Sequence, residues 1–261
     1  MAVKNSTERF SSRVENYVRY RPGYPAAVVA LLEKECGLSS DSTVADIASG
    51  TGIFTRLLLE HGNRVFGVEP NPDMRRAGEE FLAAYAKFVS VAGTAEATTL
   101  PEHSIDLLTA AQAAHWFDPV KARREFARIL KPGGWCVFVW NERNTSAAPF
   151  MQAYEEVLQK FGLDYKDVRH EHSAASIEAF YAPSGFGQQI LNKAQELDYG
   201  GIEGRLLSSS YMPQAGDPKY EEMLGELQRV FERFQRDGLV KMEYDTRVYY
   251  GKIDSQLGLV S

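Results

Sequence analysis

The sequence of 261 residues predicts an α/β protein built on a mostly parallel sheet of seven strands, with helices on both faces. Short apolar runs alternate with helix-like segments over residues 38–141, and strands that are covered on both faces of a parallel sheet are apolar in this way. A glycine turn follows the first of these runs, at the end of a strand where open α/β sheets bind ligands. After residue 141 helical segments predominate and two strands remain, of which we expect the last to be antiparallel.

Capping residues set the boundaries of the predicted elements. Asn71 and Asp118 each precede a proline, and this pair marks the first turn of a helix. Gly37 is typical of the position after a helix that begins at Pro25. Strands are expected at residues 42–48, 64–70, 87–93, 104–113, 135–141, 187–199 and 239–253. Further helices are expected at residues 52–62, 71–86, 118–134, 148–161 and 173–181, and a helical stretch is expected at residues 201–236.

Composition excludes several classes of protein. A formal charge of -6 and a pI near 5.5 argue against non-specific nucleic-acid binding. No apolar run approaches the roughly 20 residues of a membrane span, and the first residues lack the apolar core of a signal peptide. We therefore expect one domain over residues 1–261 in the cytoplasm, with neither nucleic acid nor membrane as a partner. The sequence leaves the oligomeric state open.

Metal binding is not expected from the pattern of histidine and cysteine. His170 and His172 flank Glu171, but a third ligand is not nearby in the sequence, and zinc sites need at least three protein ligands. Cys36 and Cys136 are too few for a disulfide framework.

The glycine turn lies within residues 44–55. Gly50 and Gly52 let the chain turn sharply and let a ligand approach closely, and the helix that follows presents free N–H groups. The dinucleotide fingerprint requires a third small residue where Thr55 stands. Asp46, before the turn, would repel a diphosphate. These features favour a ligand with a cationic amino-acid end.

Four motifs follow one another over residues 43–140. Asp46 begins the first, in which Ala48 replaces a glycine; Glu69 closes the second strand; residues 93–96 precede Leu-Pro; and residues 130–134 read Leu-Lys-Pro-Gly-Gly. This series resembles class I S-adenosylmethionine-dependent methyltransferases of the type-11 group, which have a Rossmann-like fold. The resemblance implies that the turn holds the methionine end of the cofactor, Glu69 the ribose and residues 93–96 the adenine. The candidate cofactor-binding residues are Tyr20, Arg21, Asp46, Ala48, Ser49, Gly50, Thr51, Gly52, Glu69, Pro70, Asn71, Thr94, Ala95, Glu96, Ala111 and Gln112.

Structural roles remain open for the two acidic residues. Asp46 is also consistent with a residue at a strand end that caps the next turn. Glu69 is also consistent with an acid at the start of a helix, where the helix dipole favours negative charge.

The flanking segments narrow the resemblance. Residues 20–25 and 111–118 resemble those of trans-aconitate-methyltransferase-like enzymes, which act on small carboxylates. Residues 204–211 and 244–249 share this likeness, but no role follows for them.

The acceptor is expected to bind under a cap formed by residues 10–24, 145–185 and 201–236, which lie outside the cofactor motifs of residues 38–141. An anionic acceptor would need arginines such as Arg21, Arg143 and Arg205, although surface ion pairs would explain them equally. Residues 10–24 are consistent either with a helix that packs on the core or with a ligand site. The candidate residues of the substrate pocket are Tyr17, Tyr24, Trp116, Trp140, Arg143 and Arg205.

His115 is a candidate for orienting the acceptor or acting as a base, or it is a structural histidine. A carboxylate acceptor would need no base, because it is already anionic at neutral pH. The sequence thus predicts transfer of a methyl group from S-adenosylmethionine to a small molecule, with S-adenosylhomocysteine as the product. The alternatives are a nicotinamide-dependent oxidoreductase and a non-catalytic S-adenosylmethionine-binding protein.

Overall fold

The computed structural model describes residues 20–163, 174–209 and 211–253. Its strands form one seven-stranded sheet. The strands are β1 (Thr43–Ile47), β2 (Arg64–Val68), β3 (Phe88–Val91), β4 (Ile105–Ala111), β5 (Leu130–Arg143), β6 (Gly187–Leu197) and β7 (Val240–Lys252). The helices are α1 (Ala27–Cys36), α2 (Ile53–Glu60), α3 (Pro72–Phe81), α4 (Pro119–Ile129), α5 (Pro149–Phe161), α6 (Ala174–Tyr181), α7 (Tyr199–Leu207) and α8 (Tyr220–Phe234).

The strand order β3-β2-β1-β4-β5-β7-β6 confirms the predicted architecture. Strands β1 to β5 pair with one another in parallel. Strand β7 runs antiparallel between β5 and β6, so the last strand of the chain is inserted next to the edge and β6 forms the edge itself. The carboxyl ends of β1, β4 and β5 therefore lie side by side.

The caps and turns hold the helices where the sequence predicts them. The Asn71 side chain accepts hydrogen bonds from the backbone N–H groups of Asp73 and Met74, and Asp118 caps α4 in the same way. Gly37 adopts φ 68° after α1. α1 itself begins at Ala27, two residues after Pro25.

Strand β5 and the region 201–236 differ from the prediction. Strand β5 begins at Leu130, which pairs with Ile105 of β4; the pairing resumes between Trp135 and Leu107, and residues 131–134 lie in the irregularity between these two pairs. The helical stretch expected at residues 201–236 consists of two helices, α7 and α8. Asp198 caps α7 early by accepting a hydrogen bond from the Gly201 N–H, and the segment with Pro213 and Gly216 separates α7 from α8.

Both faces of the sheet are covered. Phe126 of α4 and Phe180 of α6 pack against one face, together with Phe138 and Trp140 of β5. Leu32 of α1 packs on the other face. A third apolar cluster joins α5, α7 and α8 to β7 through Tyr154, Ile202, Leu227 and Tyr244.

Of residues 10–24, only 20–24 are described, and the helix expected around Val14, Tyr17 and Val18 lies outside the described residues. Within the part of the chain that the structure describes, no helix is long and apolar enough to cross a membrane.

Candidate functional site

The turn after β1 is the centre of the candidate site. The backbone enters the left-handed region at Ala48 (φ 53°), Gly50 (φ 57°) and Gly52 (φ 82°). A side chain at Gly52 would also place its Cβ less than 3.0 Å from Leu82. Because Ala48 carries a Cβ, its conformation costs about 1 kcal/mol that glycine would not pay. Strained residues of this kind cluster at ligand sites.

Asp46 lies at the end of β1 beneath this turn. Its side chain is 1% exposed, and its two carboxylate oxygens accept hydrogen bonds from the hydroxyls of Thr55 (2.6 Å) and Thr109 (2.9 Å). Burial raises the pKa of Asp46 to about 6; the two hydroxyls oppose this shift and the charge of Glu69 adds to it. A buried carboxylate with only neutral donors would be stabilised by a cationic ligand.

Glu69 follows β2 and faces the same turn. One carboxylate oxygen accepts the Gly50 N–H and the other the Asn71 N–H, each at 2.8 Å. Burial raises its pKa, although these two N–H groups and the charge of Arg75 oppose the shift. A carboxylate offers about four acceptor positions, so each oxygen can still accept a hydroxyl donor. The geometry therefore accommodates both of the roles that the sequence left open for Glu69. The carboxylate can accept the Asn71 N–H at the start of α3 and can also accept ribose hydroxyls.

A pocket opens at the carboxyl ends of β1, β4 and β5. Open α/β sheets bind their ligands at this end of the strands. Asp46 and the turn form one wall, the segment 20–25 a second, and Arg205 of α7 a third. The candidate residues that line the pocket are Arg21, Tyr24, Asp46, Ala48, Ser49, Gly50, Thr51, Ala111, Gln112 and Arg205.

A chain of polar side chains crosses the strand ends behind this pocket. The Gln112 side chain accepts the Asn141 N–H (2.9 Å) and donates to the Asn141 carbonyl (3.3 Å). Asn141 in turn donates to the Gly23 carbonyl (3.2 Å) and accepts the Thr246 hydroxyl (2.6 Å). Gln112 itself has φ 57°. Asn141 lines the pocket and was missed from the sequence, where its only signal is a polar residue at the end of the apolar run of the fifth predicted strand.

The segment 20–25 is attached to the sheet through Asn141 and to the end of α7 through Arg21. Arg21 donates a hydrogen bond to the Ser208 carbonyl (3.0 Å) just after α7. The ring of Tyr24 packs edge-on against Phe54, with 4.8 Å between the ring centroids. Arg21, Pro22 and Tyr24 of this segment line the pocket. Tyr20 lies against α7, outside the residues that line the pocket.

Arg205 is a buried cation with neutral partners. Its side chain donates to the Tyr244 hydroxyl (3.2 Å) and the Ser208 hydroxyl (3.3 Å), and the residue is 5% exposed. Among the described residues no carboxylate is paired with it. A buried charge is expensive without an opposite charge, so an anion in the pocket would stabilise it.

Arg143 forms an ion pair with Glu155 at 3.4 Å. The Arg143 side chain is 19% exposed and that of Glu155 7%, so this is not the surface pair considered from the sequence. Burial would raise the pKa of Tyr211, yet this pKa is lowered by Arg143, Arg21 and Arg205 together with a hydrogen bond from Ser209. The fields of the three predicted arginines therefore converge near Tyr211.

Several predicted residues do not line this pocket. Ala95 is 5% exposed within the apolar core, Thr94 forms a bridge with Ala97, and Glu96 accepts the Asp118 N–H at 2.9 Å. His115 and Trp116 occupy a short 3₁₀ helix, Ala114–Trp116, with 4.7 Å between their ring centroids. The other candidates outside the lining residues are Tyr20, Gly52, Glu69, Pro70, Asn71, Trp140 and Arg143.

Trp140 lies outside the residues that line this pocket. It is 3% exposed and packs against Phe138 and Tyr249 in the cluster beneath α4 and α6. Successive residues of a strand face opposite sides of the sheet, so Asn141 reaches the pocket and Trp140 does not. Its position does not support a role in the substrate pocket. Tyr17 lies outside the described residues, as do His170 and His172.

Two buried carboxylates at the ends of β1 and β2 thus face a left-handed turn, at the end of the strands where open α/β sheets bind their ligands. Residues 45–138 match a protein family described as methyltransferase domain. An uncharacterized methyltransferase of Geobacillus kaustophilus is 30% identical over 167 residues, which cover 61% of this chain and 74% of the relative. The chain therefore belongs to the methyltransferase-domain family.

A second relative agrees with this assignment, and a solved structure shares the fold. An uncharacterized methyltransferase of Mycobacterium tuberculosis is 39% identical over 135 residues, 52% of this chain and 53% of the relative, so the chain spans about half the length of that protein. A structure from Anaeromyxobacter dehalogenans, with a provisional assignment as a type II methyltransferase, superimposes with a TM-score of 0.64 at 20% identity. It covers 90% of this chain and 98% of its own, which shows the Rossmann-like fold. The relatives name no acceptor, and the trans-aconitate subgroup stays a prediction.

Proposed function

We propose that this protein transfers a methyl group from S-adenosylmethionine to a small-molecule acceptor by in-line displacement. The observation that carries the proposal is the pair of buried carboxylates, Asp46 and Glu69, on either side of the turn at Gly50. A cationic ligand with vicinal hydroxyls would satisfy both groups. A diphosphate would not, which counts against the nicotinamide alternative.

The residues around the pocket fit the two ends of this cofactor. Asp46 would face the cationic amino-acid end, and Arg21 would pair with the carboxylate of that end, since guanidinium groups bind carboxylates well. Glu69 would accept hydrogen bonds from the ribose hydroxyls with its remaining lone pairs. We expect Thr94, Ala95 and Glu96 to border the adenine.

When bound, the cofactor supplies a methyl group that its sulfonium already activates, so the protein has to align the acceptor and exclude water. Asn141 and Gln112 fix the strand ends on which an acceptor would rest. The segment 20–25 lines one side of the pocket and would help to keep water from the reacting atoms.

A carboxylate is the acceptor that we propose first, in line with the trans-aconitate-like subgroup. Arg205 reaches the pocket without an acidic partner among the described residues, and a carboxylate would pair with it. Such an acceptor needs no general base. This agrees with the position of His115 outside the lining residues; His115 would act only on a hydroxyl or amine acceptor.

The acceptor can be identified by incubating the protein with a metabolite extract and S-adenosylmethionine labelled in the methyl group. Mass analysis of the labelled product would show which atom is methylated. We expect a methyl ester of a small acid. A labelled amine, ether or thioether would contradict the carboxylate assignment but not methyl transfer, whereas the absence of any labelled product would contradict both.

A further inference from the structure

Gly204 of α7 has a structural property that the cofactor motifs do not explain. Glycine weakens a helix interior relative to alanine, and Gly204 lies in the second turn of a nine-residue helix. Its missing side chain leaves room for Tyr20: a Cβ at this position would come closer than 3.0 Å to three ring atoms of Tyr20, including Cγ. Because Cγ is near the root of the side chain, a rotation of the ring would not relieve the clash. Tyr20 would have to leave its place.

Tyr20 stands directly before the residues that form the outer pocket wall. Arg21, Pro22 and Tyr24 all line the pocket. Further along, the chain is fixed to the sheet by the hydrogen bond from Asn141 to the Gly23 carbonyl and by the contact of Tyr24 with Phe54. At its other end the described segment is fixed to α7, by Tyr20 on Gly204 and by Arg21 on the Ser208 carbonyl. This wall is therefore held between the sheet and α7.

Gly204 does not touch the pocket itself, and it is not among the lining residues. Arg205, the next residue, does line the pocket. The turn of α7 that contains Gly204 and Arg205 thus affects two cations of the pocket wall. It carries Arg205 itself, and it positions Arg21 through the contact of Gly204 with Tyr20.

We infer that Gly204 is a positioning residue for cofactor binding. Because Gly204 has no side chain, Tyr20 packs directly against it, and this contact holds Arg21 and Tyr24 on the pocket wall. The inference rests on the proposed function, because the ligand it concerns is the cofactor. Its consequence is that a single methyl group on α7, outside the pocket, weakens ligand binding by displacing the wall.

The test compares Gly204→Ala with Gly200→Ala in the same helix. A Cβ at Gly200 would meet no atom closer than 3.8 Å, so this control adds the same methyl group without touching the wall. The dissociation constant of S-adenosylhomocysteine is measured by calorimetry. We expect Gly204→Ala to weaken binding by about tenfold and Gly200→Ala to bind like the wild type. Hydrogen exchange of residues 20–25 should rise in Gly204→Ala alone, which a purely helical effect would not produce.

A double-mutant cycle with Tyr20→Ala tests the route of the effect. If Gly204 acts through Tyr20, adding Gly204→Ala to Tyr20→Ala changes the dissociation constant no further. Equal losses in both backgrounds, or wild-type affinity of Gly204→Ala, would overturn this inference alone. Failure of the wild-type protein to bind S-adenosylhomocysteine would overturn the proposed function as well.

Discussion

Replacing Asp46 with asparagine should make the protein more stable at neutral pH while it weakens cofactor binding. Asparagine has the same shape as aspartate but carries no charge, and Asp46 is 1% exposed. Its side-chain oxygen can still accept the Thr55 hydroxyl. Its amide can donate to Thr109, whose hydroxyl can turn to the Ala45 carbonyl at 3.5 Å.

The magnitude follows from the pKa of Asp46, which folding raises from 3.8 to about 6. A carboxyl group with a raised pKa contributes stability at pH values below 3.8, and this contribution is lost as the pH rises through about 6. Two pKa units correspond to roughly 3 kcal/mol. The Asp46→Asn variant should therefore gain up to about 3 kcal/mol relative to the wild type above pH ~7 and nothing near pH ~3.

The assay is urea unfolding of both proteins across this pH range, together with calorimetric titration of S-adenosylmethionine. Asp106→Asn is the control, for which we expect a change in stability of the opposite sign. This substitution removes the charge of Asp106, a partly exposed partner of Lys131, and should cost at most about 1 kcal/mol of stability at neutral pH. If Asp46→Asn is less stable than the wild type at neutral pH, or binds S-adenosylmethionine equally well, the reasoning about this buried charge is refuted.

Three further substitutions test the site. Glu69→Gln should lose about 1–3 kcal/mol of stability at neutral pH in urea unfolding, because the new amide would face the Gly50 or Asn71 N–H; unchanged stability would contradict these hydrogen bonds. Ala48→Gly should gain about 0.5 kcal/mol in the same assay, since relief of the left-handed backbone exceeds the added flexibility of the unfolded chain, and a loss would show that Ala48 is not strained. Arg205→Met should raise the KM for the acceptor at least about tenfold in steady-state kinetics with the S-adenosylmethionine affinity unchanged; an unaltered KM would remove Arg205 from the acceptor site.

The order of the core elements could be predicted because each depends on local signals. Asn71 with Pro72 and Asp118 with Pro119 start helices through contacts within a few residues, and the apolar runs identify buried strands. The motif around Gly50 could be located for the same reason, because its backbone requirement is local.

The chain of polar side chains at the strand ends behind the pocket could not be predicted, because it depends on the order of the strands in the sheet. Gln112, Asn141 and Thr246 are far apart in the sequence and meet only because β4, β5 and β7 are neighbours in the sheet. Trp140 shows a second limit. Alternation in a strand implies that Trp140 and Asn141 face opposite sides, but only the positions of the helices decide which side carries the pocket.

The contact between Tyr20 and Gly204 shows a third limit of prediction from the sequence. A glycine within a helix has no distinctive pattern in the sequence, and its role depends on a residue more than 180 positions away. Contacts between α7 and the segment 20–25 depend on three-dimensional packing, which the propensities of neighbouring residues do not encode.

Calorimetric titration of the wild-type protein with S-adenosylmethionine and, separately, with NAD tests the central claim most directly. The buried carboxylates of Asp46 and Glu69 predict one S-adenosylmethionine bound per chain, with no heat of binding for NAD. Repeating the titration with Asp46→Asn should weaken the binding. Binding of NAD, or no binding of S-adenosylmethionine at millimolar concentration, would contradict the account.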